Sequence, residues 1–230
     1  MAESKTSNAN AEQLITEHLD IWTTAIEQKS SAGRGSSKKF SLHGIKKLRE
    51  LILELAVRGK LVPQDPNDEP ASVLLERIAD EKAQLIKDKK IKKPKVLSEI
   101  SEDEKPFELP KGWEWARLEN TGIGSTGKTP STRNPDYFNG DIPFIGPGQI
   151  TTTGTILQAD KFLSIDGLSN SSEAGIGDIF MVCIGGSIGK AALVVERVGF
   201  NQQINCISPI HMASEYLYLA LSSPNFYKAI

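Results

Sequence analysis

The chain has 230 residues, of which 39% are hydrophobic and 24% charged, and carries a formal net charge of −2. That is enough apolar material to bury a core in one or two domains, and it excludes a disordered or low-complexity chain. No apolar run approaches the length of a bilayer span and residues 1–10 are polar, so neither a membrane segment nor a signal peptide is expected and a cytoplasmic location is.

Residues 1–105 hold 19 Lys+Arg against 18 Asp+Glu, a balance of +1, whereas residues 106–230 hold 8 against 11, a balance of −3. Composition changes near residue 105, from helical periodicity and lysine-rich stretches to glycine, proline, threonine and short apolar runs, which places a domain boundary there. In the first half a helix is expected over about 12–28, where Ile15, Leu19, Trp22 and Ile26 recur at steps of three and four. Residues 30–39, Ser-Ser-Ala-Gly-Arg-Gly-Ser-Ser-Lys-Lys, read as a linker. A second helix is expected over about 42–58, ended by Gly59 at a C′ position. A third is expected over about 68–90, with Asp68, Glu69 and Pro70 suited to its first turn. The last two are expected to form an antiparallel hairpin. Their apolar faces admit either intramolecular packing or docking of a partner. The lysines at 87, 89, 90, 92, 93 and 95 read as a solvated helix end and linker, or as a phosphate-binding run.

In the second half, β-type composition between turn residues predicts strands over 113–118, 142–145, 148–152, 155–158, 178–184, 191–196 and 203–208, followed by helices from about 215 and 224. The expected fold is α+β: a helical arm, then a mixed, largely antiparallel sheet domain over 106–230. Cys183 and Cys206 fall within apolar stretches and are expected as buried thiols rather than a disulfide. The three histidines are scattered without metal-ligand spacing, so no metal and no cofactor are expected.

Two stretches imitate catalytic motifs. Gly122-Ile-Gly-Ser-Thr-Gly-Lys-Thr129 fits the Walker A pattern, which makes a P-loop nucleotide hydrolase an alternative reading. A phosphate-binding loop must open a helix at its Lys-Thr end, and here Pro130, Pro135 and Asn139-Gly140 leave no room for a long one. Asn134-Pro135-Asp136-Tyr137 is close to the Asn-Pro-Pro-Tyr loop of amino methyltransferases, but Asp136 stands where the second proline belongs and no cofactor-binding glycine loop precedes it. No nucleophile-base set offers other chemistry, so the chain is expected to catalyse nothing.

Five phrases recur in order over about a hundred residues: Pro-Phe-Glu-Leu-Pro-Lys-Gly-Trp-Glu-Trp (106–115), Thr-Gly-Lys-Thr-Pro (126–130), Asp-Tyr-Phe-Asn-Gly-Asp-Ile-Pro-Phe-Ile-Gly-Pro-Gly-Gln-Ile (136–150), Gly-Gly-Ser-Ile-Gly-Lys (185–190) and Asn-Gln-Gln-Ile-Asn (201–205). Their order and spacing resemble the target recognition domain of the specificity subunit of type I restriction-modification systems, and 48–62 with 69–78 resemble the helical segment preceding it. The resemblance implies sequence-specific reading of double-stranded DNA within a complex that supplies methyltransferase subunits and, in the full system, a restriction subunit. A homodimer is a further possibility. It also implies a half-length or C-terminally truncated form, since one recognition domain fills the chain. A helical assembly adaptor that never meets DNA is the other alternative.

Sequence reading needs paired donors and acceptors at base edges, while phosphates are met by cations, hydroxyls and backbone N–H groups. The candidates stand on the expected turns: Lys128, Thr129 and Arg133; Tyr137 and Asn139; Gln149; Ser187 and Lys190; Asn201, Gln202 and Gln203. For 201–203, holding the fold through side-chain to backbone hydrogen bonds is an equal alternative. The turn 185–190 is either an anion cradle or a plain strand connection.

Overall fold

The computed structural model describes residues 11–29 and 39–229. Two four-stranded sheets form the centre. The first, in the order β3 (Gly122–Thr126), β10 (Ile204–Pro209), β7 (Ile179–Val182), β8 (Ala191–Leu193), is antiparallel throughout. The second runs β5 (Lys161–Leu163), β4 (Ile142–Ile145), β9 (Val198–Phe200), β6 (Ser172–Ala174), with β4 and β9 parallel and the other pairs antiparallel. The α+β expectation therefore holds.

Strand alternation explains how the sheets are joined. Phe180 and Val182 of β7, Ile204 and Cys206 of β10 and Phe200 of β9 share one buried cluster, with the Phe180 and Phe200 rings 4.7 Å apart. Ile179 and Ile207, on the opposite face of the first sheet, pack against Leu217 and Leu221 of α5 (Ser214–Leu221). That is the period-2 pattern of strands covered on both faces. The far side of the second sheet is closed by Leu168 of the short helix α4 (Ile165–Ser169) against Phe144 and Leu163. Cys206 is buried as expected, and burial pushes its thiol up to about 12. Cys183 is exposed, contrary to expectation, because β7 ends at Val182 and leaves it on the following turn.

Several strand expectations are corrected. Residues 113–117 form no strand, and a 3-10 turn follows at Leu118–Thr121. The backbone just before them serves the helical arm, with the Ala71 N–H donating to Gly112 O at 2.8 Å. Residues 148–158 form no regular strand: a 3-10 turn spans Pro147–Gln149 and a single isolated bridge joins Ile150 to Ile156. Conversely, β3, β5, β6 and β9 are too short or too glycine-rich to stand out by periodicity.

In the first half, helix occupies 11–16 and then α1 (Leu19–Thr24), not 12–28, and β1 (Glu27–Lys29) pairs antiparallel with β2 (Lys39–Ser41). The Thr23 and Thr24 hydroxyls donate to the backbone oxygens of Leu19 and Asp20, a competition that weakens a helix end. The linker expected over 30–39 lies, but for its last residue, outside the described residues. Helix α2 (His43–Val57) ends as the sequence predicts: Gly59 at φ +65 lets its own N–H reach Ala56 O at 3.0 Å and that of Lys60 reach Leu55 O at 2.8 Å.

Helices α2 and α3 (Ala71–Lys87) do not pack on one another as the expected antiparallel hairpin requires, because their faces find other partners. Helix α2 lies against α1, α5 and the last helix α6 (Pro224–Ala229), and α3 against the 118–121 turn. The Lys82 ammonium, 9% exposed, donates to the backbone oxygens of Glu119 and, at 2.9 Å, Gly122, and burial lowers its pKa. Trp113 Nε1 donates to Gln64 Oε1 at 2.8 Å and Arg58 lies over the Phe107 ring. The arm is thereby fixed to the point where β3 begins. No helix among the described residues is long and apolar enough to cross a membrane.

Candidate nucleic-acid interface

At one end of the two sheets three loops meet: 127–134 after β3, 201–203 between β9 and β10, and 183–190 between β7 and β8. Their junction is built from backbone first. The Gly127 N–H donates to Ile204 O and the Lys128 N–H to Phe200 O, both at 3.0 Å. A Cβ on Gly127 would stand 1.8 Å from Asn201 O, so only glycine permits this approach. The Ser171 and Ser172 hydroxyls donate to Lys128 O and Thr126 O at 2.6 and 2.7 Å. Sequence reasoning did not single out these two serines, since β6, which positions them, is only three residues long.

These bonds dispose of the Walker A reading. Residues 122–126 are strand β3, Gly127 and Lys128 have their N–H groups committed to the fold, and the Thr129 hydroxyl donates to Gln202 Oε1 at 2.7 Å. The next element is the 3-10 turn Pro135–Phe138 rather than a helix opening at Lys128. No ring of free N–H groups is left to wrap a phosphate. The Asn134-Pro135-Asp136-Tyr137 stretch is likewise local: Asn134 Oδ1 accepts the Asp136 N–H and caps that turn.

The candidates divide by what their side chains already hold. Asn201 Oδ1 accepts the Gln203 N–H at 3.0 Å and its amide nitrogen donates to Gln203 Oε1 at 3.2 Å. Gln149 Oε1 accepts the Gly146 N–H and its amide nitrogen donates to Asp160 at 2.7 Å. Asn201 and Gln203 thus brace their own loop, and Gln149 ties the 146–149 turn to Asp160. Gln202 is exposed, with only its oxygen engaged by Thr129. The side chains of Lys128, Arg133 and Lys190 make no hydrogen bond or ion pair among the described residues. Ser187 is half-buried on its turn.

The structure brings Lys128, Thr129, Asn201, Gln202 and Gln203 into one cluster. Gln149 adjoins it through Gly146, whose Cβ position lies 3.4 Å from both Gln149 and Asn201. The turn carrying Ser187 and Lys190 joins through the Cys183 N–H, which donates to Gln203 O at 2.9 Å. Tyr137 and Asn139 sit farther along the loop: Tyr137 O accepts the Ser164 N–H at 3.1 Å and packs under Gly167, while Asn139 is exposed. No group of three or more His, Cys, Asp or Glu that would hold a metal occurs among the described residues. The surface offers amides, hydroxyls and three unpaired cations, groups of the kind that meet base edges and phosphates.

A family model described as the type I restriction modification DNA specificity domain matches residues 110–229. The type I restriction enzyme EcoAI specificity subunit of Escherichia coli is 71% identical over 109 residues, covering 47% of this chain and 18% of that protein. The EcoEI specificity subunit of the same species is 72% identical over 107 residues, covering 46% and 18%. Among solved structures, the HsdS subunit from Thermoanaerobacter tengcongensis aligns with a TM-score of 0.44 and 14% identity over 87% of this chain and 49% of that one. The family's matched span takes in both sheets, all three loops of the junction and the closing helices, and on that match the chain belongs to the type I restriction modification DNA specificity domain family.

Proposed function

We propose that this chain reads double-stranded DNA sequence as the specificity subunit, or part of one, of a type I restriction-modification complex, and itself catalyses nothing. The observation that carries the reading is the junction of loops within the family's matched span, where Gln202 stands exposed on one loop and the unpaired Lys128, Arg133 and Lys190 lie on the other two. In this reading Gln202 meets base edges and the three cations meet phosphates. Thr129 orients Gln202. Gln149, Asn201 and Gln203 shape the loops that present it, and Ser187, Tyr137 and Asn139 extend the contact along the DNA.

The chain divides near residue 105 into an arm and a recognition domain. The arm is the expected docking place for modification subunits, with the restriction subunit joining the full complex. Leu14, Leu19, Ile21 and Ile26 stand between 41% and 61% exposed on the arm, an apolar surface suited to such a partner or to a second copy of the chain. A cytoplasmic location follows from that assignment.

The recognition half has a balance of −3 and only three unpaired cations on the junction, so phosphate contacts by the chain alone are few and binding is expected to strengthen when the modification subunit is present. The test is selection from a randomised duplex pool by the complex of this chain with the modification subunit encoded beside it. A recurring short motif in the bound fraction is the expected result. Binding without any motif contradicts the reading and favours the assembly adaptor.

A further inference from the structure

The turn 183–190 contributes only Ser187 and Lys190 to the reading above, and three of its residues, Ile184, Gly186 and Ile188, have no explanation within the fold. Ile184 and Ile188 are 56% and 47% exposed, although turns of this kind ordinarily carry polar side chains. Its base is held by the Gly189 N–H on Val182 O and the Val182 N–H on Lys190 O, at 3.0 and 2.9 Å. Gly185 and Gly189 have φ of +98 and +86, so the backbone itself requires glycine at both. Gly186 is different: its φ is not left-handed and an added Cβ would meet nothing within 4 Å. Nothing inside the protein demands glycine there, and the missing side chain leaves room for another molecule's surface to approach the backbone closely.

The surroundings say what that surface is. The Cβ position of Gly185 lies 3.4 Å from Gln203 Nε2, which puts the turn next to Gln202 and the Lys128 loop, with Lys190 unpaired at its own end. Exposed isoleucines framed by free cations suit a surface that is anionic at its edges and carries apolar points between them. The major groove has that character, its apolar points being the C5-methyl groups of thymine.

Resting on the DNA-reading function above, we propose that Ile184 and Ile188 are specificity-determining residues that pack on thymine methyl groups in the major groove, with Gly186 allowing the turn to approach the DNA closely. The test uses the chain with its modification subunit and a duplex selected from the randomised pool, in which each thymine is replaced in turn by uracil, removing the methyl group alone. The unsubstituted protein is expected to lose affinity about fourfold at one or two thymines, the worth of one buried methyl group. Ile184→Ala or Ile188→Ala is expected to abolish that response at one of those positions while other base preferences persist. Gly186→Ala, which the fold accommodates, is expected to leave the melting temperature unchanged and to weaken DNA binding several-fold. Indifference to uracil at every thymine overturns the proposal, and so does an undiminished uracil response in both isoleucine variants. Gly186→Ala binding as tightly as the parent overturns the close approach, and loss of modification-subunit binding by the isoleucine variants without DNA assigns the turn to a protein partner instead. In all these cases the selected motif survives, whereas absence of any motif overturns the DNA reading itself.

Discussion

The Thr129 hydroxyl and the Gln202 side-chain oxygen lie 2.7 Å apart, so the loop that ends the glycine-rich stretch is bonded to the loop between β9 and β10. The bond takes only the oxygen of Gln202 and leaves its amide N–H groups for an outside acceptor. Gln202 is exposed, so Gln202→Ala is expected to change stability by less than about 0.5 kcal/mol while relaxing base preference at one position of the selected motif. Thr129→Val, which removes the orienting hydroxyl, is expected to blur the same position to a lesser degree. Motifs selected by the variants and by the parent, compared at equal salt, check both outcomes.

The cations should behave differently. Lys128, Arg133 and Lys190 are unpaired, and a phosphate contact carries no sequence information. Replacing any one by Ala is expected to weaken binding to matched and scrambled duplexes alike and to lower the slope of log affinity against log salt by about 1. Titrations at several salt concentrations decide it. A variant that loses the motif but keeps the slope would place that cation on a base.

Lys82 tests how firmly the arm is fixed to the recognition domain. Its ammonium serves two backbone oxygens, that of Gly122 in a buried bond and that of Glu119 in a part-buried one. Lys82→Ala is expected to cost roughly 1–3 kcal/mol, the range for leaving buried polar groups unsatisfied. Lys82→Met, which keeps the aliphatic stem, should recover only the packing share. Denaturant unfolding with both variants separates the two contributions.

The segment 98–104 should detach in acid. Arg117 donates to Glu104 at 2.9 Å and the Ser101 N–H and hydroxyl donate to the same carboxylate at 3.0 Å, which hold its pKa down to about 2 from an ordinary 4.5. A depressed carboxyl pKa stabilises the folded arrangement fully above the unfolded value and loses that contribution as pH falls toward the folded one. Hydrogen exchange of these amides, corrected for intrinsic rates, is expected to accelerate between about pH 4.5 and 2. Glu104→Gln should show the faster exchange already at neutral pH. Exchange that ignores pH over that interval contradicts the clamp.

How much of this was legible in the sequence depends on the kind of signal each element carried. Helices α2, α5 and α6 were legible because an apolar stripe or a capping glycine such as Gly59 is written locally. The central strands β4, β7, β8 and β10 were legible as apolar runs. The strand β3 was not, because Gly122-Ile-Gly-Ser-Thr has neither alternation nor bulk, and it becomes a strand only by pairing with β10. Trp113 to Leu118 misled in the other direction: its aromatics pack beside the arm, and its strand-like composition answers to that contact. At the junction, residue types pointed to loops that the fold brings together. Which amides hold the loops and which stand free rests on long-range bonds, such as Gln149 to Asp160 and Thr129 to Gln202, that no local pattern encodes.

The claim that the chain reads DNA sequence is tested most directly by a ratio of affinities. The complex of the chain with its modification subunit is titrated, at one fixed near-physiological salt concentration, with its selected duplex and with a scrambled duplex of the same composition. Sequence-specific recognition predicts a ratio on the order of a thousand or more in favour of the selected duplex. Equal affinity for the two, from a folded and assembled complex, would contradict it.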